Sequence, residues 1–279
     1  MIKKISIVLQ HIFLMLLSIL SIFPVIWMVI AATNKSVDVT KGTLTPGNYL
    51  FENIKALLDS DLLYLNAFKN SFTIALITTV LAMLVSSAAG YAFVIYRSKV
   101  RDMVFNIILL SMMIPFAALL VPLFRLFGKF NNIGILKYIS INTLASVVII
   151  GVATAFLIFF FRQNTRSFPK ELVEAARIDG LGEFRIFLSI FMPTNKAVYA
   201  AAIVVTFMTS WNSYLWPLIT LQSADKRTLP LVIAAMGSSY TPDYGMIMTA
   251  VFLATLPTAL IFFLMQKQFV AGMTGSVKG

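Results

Sequence analysis

Long apolar runs separated by short polar connections fill the chain from end to end. A helix rising 1.5 Å per residue needs about 20 apolar residues to cross roughly 30 Å of hydrocarbon. Six runs qualify, at about 6–32, 71–95, 103–124, 143–161, 197–220 and 247–266. Their cores contain no Asp, Glu, Lys or Arg. The pattern predicts an all-α membrane protein with six transmembrane helices in a single domain over residues 1–279. The first run is longer than a signal-peptide core and is followed by further spans, so it reads as a retained helix, with cleavage after Ala31 or Ala32 as the alternative.

The connections are unequal. The first, about 33–70, contains "TLTPGNYLFENIKALL", a Pro-Gly turn before an amphipathic stretch, which predicts a short surface helix. Residues 96–102, "YRSKVRD", form a tight basic turn. Pro115 and Pro122 predict kinks in the third span, and "SSAAG" at 86–90 offers a small-residue face for close helix packing. The segment 222–245 carries turn signals at Gly237 and Pro242-Asp243. The connection at 162–196 is the longest on its side of the membrane.

Composition agrees with a membrane class: of 279 residues 59% are hydrophobic and only 12% charged, about half the usual share of a soluble domain. The net charge of +11 raises the question of nucleic acid. Its distribution answers it: with the N-terminus inside, 13 of the 22 Lys and Arg, among them Lys3, Lys4, Arg97, Lys99, Arg101, Arg162, Arg166 and Lys170, fall on that side and 9 are spread over the longer loops of the other, a moderate bias. That bias places both termini and the 162–196 loop in the cytoplasm and makes the positive charge a matter of topology. Cysteine is absent and His11 is the one histidine, so thiol chemistry and a histidine-rich metal site are excluded.

Within the long loop, "EAARIDGLGEFRIFLSIFMP" runs from Glu174 to Pro193. Pro169 suits a helix start, and Glu171 and Glu174 lie near the positive N-terminal end. Gly180 breaks the run, Gly182 permits a second change of direction, and Leu181, Phe184, Phe187, Leu188 and Phe191 recur at helical spacing until Pro193. The product is a helix–turn–helix lying along the membrane face. Ala175, Ala176 and Gly180 would let another protein approach the backbone closely, with Glu174, Arg177 and Asp179 as polar anchors. The other reading is an interfacial helix in lipid headgroups. The acid-rich composition of residues 171–183 favours a protein partner.

Glu174-Ala175-Ala176, three residues, Gly180, nine residues, Ile190, then Phe191-Met192-Pro193 resembles the EAA signature (EAA-x3-G-x9-I-x-L-P) of ATP-binding-cassette importer permeases, with Met192 in place of the usual leucine. "WNSYLWPL" (211–218), "TLPL" (228–231), the Leu-Pro at 256–257 and the terminal "FVAGMTGSVKG" are similar to the carbohydrate branch, the smaller maltose-type (MalG-like) permease. The resemblance implies the type I importer fold, with the EAA helix as a coupling helix between spans 4 and 5. Glu174, Ala175, Ala176, Asp179, Gly180 and Pro193 would then couple to the ATPase. Its implied partners are a second permease in a heterodimer, two ATPase subunits that carry ATP and Mg, and an extracytoplasmic sugar-binding protein that meets the 222–245 region. The tail residues Val277, Lys278 and Gly279 would lie near the ATPase. The subunit itself would have no catalytic residue and no cofactor, and would sit in the bacterial cytoplasmic membrane, importing a sugar, foremost an oligosaccharide.

Trp211, Asn212, Tyr214 and Trp216 are candidates for the substrate pathway, since aromatic faces and amide or hydroxyl groups suit sugar rings. The alternative is an aromatic belt at the membrane interface. The resemblance does not favour the sugar reading, because in maltose-type systems the larger permease supplies most sugar contacts in the membrane. Two other function classes remain for comparison. An ion-coupled secondary transporter of a small polar solute needs ionisable groups in the spans, and an intramembrane enzyme needs a catalytic constellation; the six cores offer neither.

Overall fold

The computed structural model describes residues 2–96 and 98–275, with side chains at 7, 9–96 and 98–267. Among the described residues every regular element is helical. In chain order these are α1 (Ile2–Ala32), α2 (Ser36–Thr40), α3 (Leu50–Asp59), α4 (Tyr64–Ile95), α5 (Lys99–Ser111), α6 (Phe116–Phe130), α7 (Leu144–Val152), α8 (Ala155–Thr165) and α9 (Glu171–Ile178). Then come α10 (Glu183–Ile186), a π turn at Phe187–Phe191, α11 (Met192–Thr194), α12 (Lys196–Trp211), α13 (Leu215–Thr220), α14 (Leu229–Gly237) and α15 (Tyr244–Gly275). Among the described residues four stretches are long and apolar enough to cross a membrane alone, Leu9–Ala32, Tyr64–Ile95, Leu144–Thr165 and Tyr244–Lys267, and up to six if each of two bent helix pairs forms one span. The surface helix expected after the Pro-Gly turn is α3, which buries Asn53 and Leu57.

Three of the six expected spans are not continuous helices; the run at 143–161 is split at Ala153 and Thr154, between α7 and α8. The run at 103–124 is broken between α5 and α6, which meet at 103°. Pro115 is the cause: it has no N–H to continue α5, and it pushes Ile114 away from helical backbone. Pro115 itself is extended, with ψ 132, whereas Pro122 lies inside α6. The run at 197–220 is interrupted between Trp211 and Leu215. There Pro217 cannot donate to the carbonyl of Ser213, and the Asn212 side chain turns back to the Met208 carbonyl at 2.9 Å.

The chain forms two compact units, one of Met1–Leu65 with Val232–Leu256, the other of Asn66–Leu231 with Pro257–Gly279. In the first, the C-terminal end of α1 is held by side chains that satisfy carbonyls a helix end leaves unpaired. Asn53 Nδ2 donates to the carbonyls of Ala32 and Asn34 at 2.9 and 3.0 Å, and Thr249 Oγ1 donates to Ala32 at 3.1 Å. Asn34 Nδ2 donates to Ile30 and Thr45 at 3.1 and 3.0 Å. Tyr64 donates to the Ala250 carbonyl at 2.9 Å.

The second unit has two cores. One gathers Tyr91, Leu157, Phe161, Phe168, Val173, Ala176, Ile186, Phe187, Phe191 and Tyr199; the other gathers Ile74, Phe127, Val147, Val148, Trp216 and Leu221. The small-residue face at 86–90 lets α4 meet α7 and α8: Ser86 Oγ donates to the Val152 carbonyl at the end of α7 at 3.2 Å, and a Cβ on Gly90 would stand 2.6 Å from Phe161 Cβ and 2.7 Å from Arg162 N in α8. Gly128 in α6 is the opposite case, with nothing within 4 Å of a Cβ. Gly128→Ala is therefore expected to stabilise the protein by about 0.5–1 kcal/mol, read as a rise in melting temperature in detergent.

Candidate functional site

The turn after α9 is built from the backbone outward. Glu171 and Glu174 occupy the first turn of α9, where acids suit the helix dipole. Lys170 takes helical backbone as the N-cap, so Pro169 stands just ahead of the helix rather than at its first residue. Val173 and Ala176 face inward and anchor the helix on the aromatic core. At the other end Gly180 N donates to Arg177 O at 3.1 Å and Leu181 N donates to Ala176 O at 3.0 Å. With Gly180 at φ +79, this pair of bonds is a Schellman C-terminus, whose left-handed residue favours glycine. Leu181 packs against the same core as Ala176, which is the apolar contact such a turn uses.

The turn is also clipped. Arg177 grips Glu183 with two parallel hydrogen bonds, Nε to Oε1 at 2.6 Å and Nη2 to Oε2 at 3.2 Å. The Tyr96 hydroxyl, just beyond α4, donates to Glu183 Oε2, and Arg101 Nη1 donates to the Tyr96 carbonyl. Both guanidinium groups lie over the Tyr96 ring, at 5.3 and 5.8 Å from its centroid. The Arg177 hydrogen bonds, and then that of Tyr96, hold the Glu183 carboxyl below its usual range. Glu183 in turn raises Arg177. Partial burial, and then the hydrogen bond to Glu183, raises the Tyr96 hydroxyl.

The sign of the pH effect follows. A carboxyl depressed in the folded state contributes its stability above its unfolded value, about 4.3, and loses it as pH falls through the lower folded value. The loop is thus expected to keep its clip at neutral pH and to release it only when the pH falls below the ordinary carboxylate range. Glu183→Gln should raise amide hydrogen exchange across residues 177–186 severalfold at neutral pH while leaving membrane insertion unchanged; protection equal to the parent protein would show that the clip does not order the turn.

The sequence expectations are met unevenly. Glu174, Ala175, Asp179 and Gly180 share the exposed side of the turn. Ala176 does not: at 4% exposure it belongs to the core, because it lies three residues after Val173 on the buried face. Gly182 has an ordinary φ of −72 and open space around it, so the second change of direction does not require glycine. Pro193 does not end the helix; it sits within α11, in the first turn of a helical segment where its missing N–H costs little, and the chain bends after Thr194. Sequence reasoning missed Ile178 and Phe184, which flank Gly180 at 87% and 75% exposure. Ile178 could have been found as the apolar residue of α9 that lies off the buried Val173–Ala176 face. Phe184 is masked in the sequence by the regular apolar spacing that continues to Phe191.

The aromatic candidates do not form one site. Trp211 is buried, edge-on to Phe68 at 5.4 Å and stacked on Phe207 at 5.8 Å. Trp216 is buried with its Nε1 donating to the Ser146 carbonyl at 3.0 Å and its ring edge-on to Phe127. Both rings are buried within this chain. Asn212 and Tyr214 are outside the core. Trp216 alone of the four lines a cavity of about 230 Å³, together with the hydroxyl residues Thr78, Thr154, Thr209, Ser210 and Ser213. Val277, Lys278 and Gly279 lie outside the described residues. No group of His, Cys, Asp or Glu suited to a metal occurs among the described residues.

Long apolar helices without charge in their cores, and an exposed helix–turn presented between them, define a membrane transport subunit. Residues 95–275 match the family described as the inner membrane component of binding-protein-dependent transport systems, and the chain belongs to that family. It is 48% identical over 99% of its length, and 98% of the relative's, to the lactose transport system permease protein LacG of Rhizobium radiobacter. It is 34% identical to the arabinooligosaccharides permease AraQ of Bacillus subtilis (96% and 94% covered) and 33% identical to the sn-glycerol-3-phosphate permease UgpE of Yersinia enterocolitica (96% of each). Its fold is similar to that of a chain in a bacterial ABC transporter involved in the import of the acidic polysaccharide alginate, with a TM-score of 0.79 at 19% identity over 96% and 97% of the two chains. Family membership makes the protein a permease subunit of a binding-protein-dependent importer.

Proposed function

We propose that this permease carries a sugar, foremost a short oligosaccharide, across the bacterial cytoplasmic membrane, and that ATP hydrolysis on partner subunits reaches it through the loop at 162–196. The 48% identity to a lactose permease over almost the whole chain carries the substrate class. The exposed, glycine-terminated α9 supports the coupling role: its backbone is fixed from within by the Schellman bonds and the Arg177–Glu183 clip, so a push on Ile178 or Phe184 moves the turn as a body. The six-span arrangement counts each bent pair once, with both termini and the coupling turn in the cytoplasm, as the Lys and Arg bias requires. Two ATPase subunits, which bind ATP and Mg, dock on the turn of this chain and of a second permease, and an extracytoplasmic binding protein delivers the sugar to the 222–245 side. The tail at 277–279 approaches the ATPase. Only contacts that differ between inward-open and outward-open states can drive the exchange.

The test is recovery of tagged protein from its own membranes in mild detergent, followed by uptake of labelled oligosaccharide in vesicles supplied with the binding protein. Recovery of an ATPase and a second permease, with ATP-dependent uptake, is expected. Recovery of the chain alone, with uptake driven by an ion gradient, would return the reading to a secondary transporter.

Trp211 is assigned to the core rather than to the sugar path. Trp211→Ala is expected to remove about 3 kcal/mol or more of packing and to lower insertion and transport together. Normal amounts of folded protein with transport lost would place the ring on the substrate path instead.

A further inference from the structure

The ends of α4, α5 and α8 form an open polar cavity of about 450 Å³ lined by Phe93, Val94, Asp102, Asn106, Arg162 and Arg166. Its key group is Arg162. Close packing of Gly90 on Phe161 and Arg162 fixes its backbone, and its guanidinium lies 3.8 Å over the Phe105 ring centroid. One edge is engaged, Nη2 donating to Asp102 Oδ1 at 3.1 Å. The Nε is buried with no partner, and an unpartnered buried donor calls for an explanation. Arg166 adds a second cation, held only by its own helix through Gln163 Oε1 at 3.4 Å. Two guanidinium groups facing one carboxylate leave an excess of positive charge, and Asn106 adds an amide donor.

The surroundings decide between a free anion and an amphiphile. Val100, Met103, Ile107 and Leu110 form an exposed apolar stripe along one face of α5, the helix that also supplies Asp102 and Asn106. Phe93 and Val94 line the cavity itself with apolar surface. A charged pocket on a helix that also carries an exposed apolar face matches a phosphate headgroup joined to acyl chains, and basic pockets between membrane helices recognise anionic lipids in this way. We propose that this cavity seats the phosphate of an anionic phospholipid, with Arg162 and Arg166 as its cationic partners, Asn106 as a neutral donor, and Asp102 retained as the counter-ion that orients Arg162. The proposal is independent of the coupling role given to α9.

Native mass spectrometry on the complete chain in its transport complex tests it, with phosphatidylglycerol and phosphatidylcholine of identical chains added in parallel. Phosphatidylglycerol is expected to be retained about tenfold better, the effect of one charge-assisted hydrogen bond. Arg166→Gln should abolish most of that preference without loss of complex, since Arg166 makes its one described hydrogen bond within its own helix. Arg162→Gln should do so more fully, though the lost Asp102 pair can also lower recovery, so Arg166→Gln is the deciding variant. Equal retention of the two lipids, or an unchanged preference in Arg166→Gln, would overturn the proposal. Displacement of the lipid by millimolar inorganic phosphate would make the cavity a free-anion site and overturn the lipid assignment. Binding by the isolated chain but not by the assembled complex would show that a partner subunit covers the cavity, with the same consequence.

Discussion

Gly180→Asp is expected to leave the protein folded and inserted while lowering ATP-driven transport by tenfold or more, with hydrolysis by the partner ATPase persisting. The two halves of this expectation rest on different observations. A non-glycine residue at φ +79 costs roughly 1 kcal/mol, and Asp is among the residues that bear left-handed backbone best. A Cβ at position 180 would meet nothing of the chain itself within 4 Å. The fold therefore tolerates the change, while the new carboxylate projects into the space a docked partner must fill. Gly180→Asn separates strain from charge, because it has the same shape and backbone cost. Gly182→Asp separates position from composition, since Gly182 has ordinary backbone and equally open surroundings. Uptake assayed in vesicles beside ATPase activity reads all three. Full transport in Gly180→Asp would remove the turn from the coupling path.

Gly90→Val is expected to act in the opposite way, through the fold alone. Its Cβ would lie 2.6 Å from Phe161 Cβ, 2.7 Å from Arg162 N and 2.9 Å from Phe161 C. Two of these three atoms are backbone, so the α4–α8 contact must open. Overpacking of this kind costs about 1–3 kcal/mol and more where backbone has to move. Opening this contact also strains the Ser86 bond to the Val152 carbonyl at the end of the adjoining α7. The expected result is a large loss of monodisperse protein and a lower melting temperature, and even Gly90→Ala should show part of it. Recovery and stability equal to the parent protein would mean that the two helices do not meet at Gly90.

The hydrophobic pattern made the helices legible because membrane crossing is a demand on length and composition, both written directly in the sequence. The 71–95 and 247–266 runs fall within α4 and α15. The breaks were harder to foresee. Pro115 and Pro122 look alike as letters, yet one divides two helices at 103° and the other rides inside α6. The difference lies in whether neighbouring packing keeps the helix going past the missing N–H, and sequence does not contain it. At the candidate site, the Gly180 turn was legible because a left-handed C-terminus needs glycine, but the face of Ala176 was not. The motif groups Ala175 with Ala176, whereas 3.6 residues per turn points them about 100° apart, and only Val173, three residues before Ala176, could have shown which of them meets the core. The Arg177–Glu183–Tyr96 clip was illegible in part for a related reason. Tyr96 is distant in sequence, so its contact depends on tertiary structure.

The Schellman turn divides labour within α9 in a way that bears on how such transporters diversify. Everything that sets the shape of the turn is supplied by backbone bonds, one glycine and residues directed inward or toward α4. Everything that a motor protein would touch, Ile178 and Phe184 foremost, is exposed. On the coupling role proposed above, changes at those two positions would alter which ATPase is accepted without disturbing the lever that it moves. Recruitment of a different motor by an old permease then requires only a change of surface, so a swap of these two side chains between related permeases should transfer ATPase preference while each retains its own sugar.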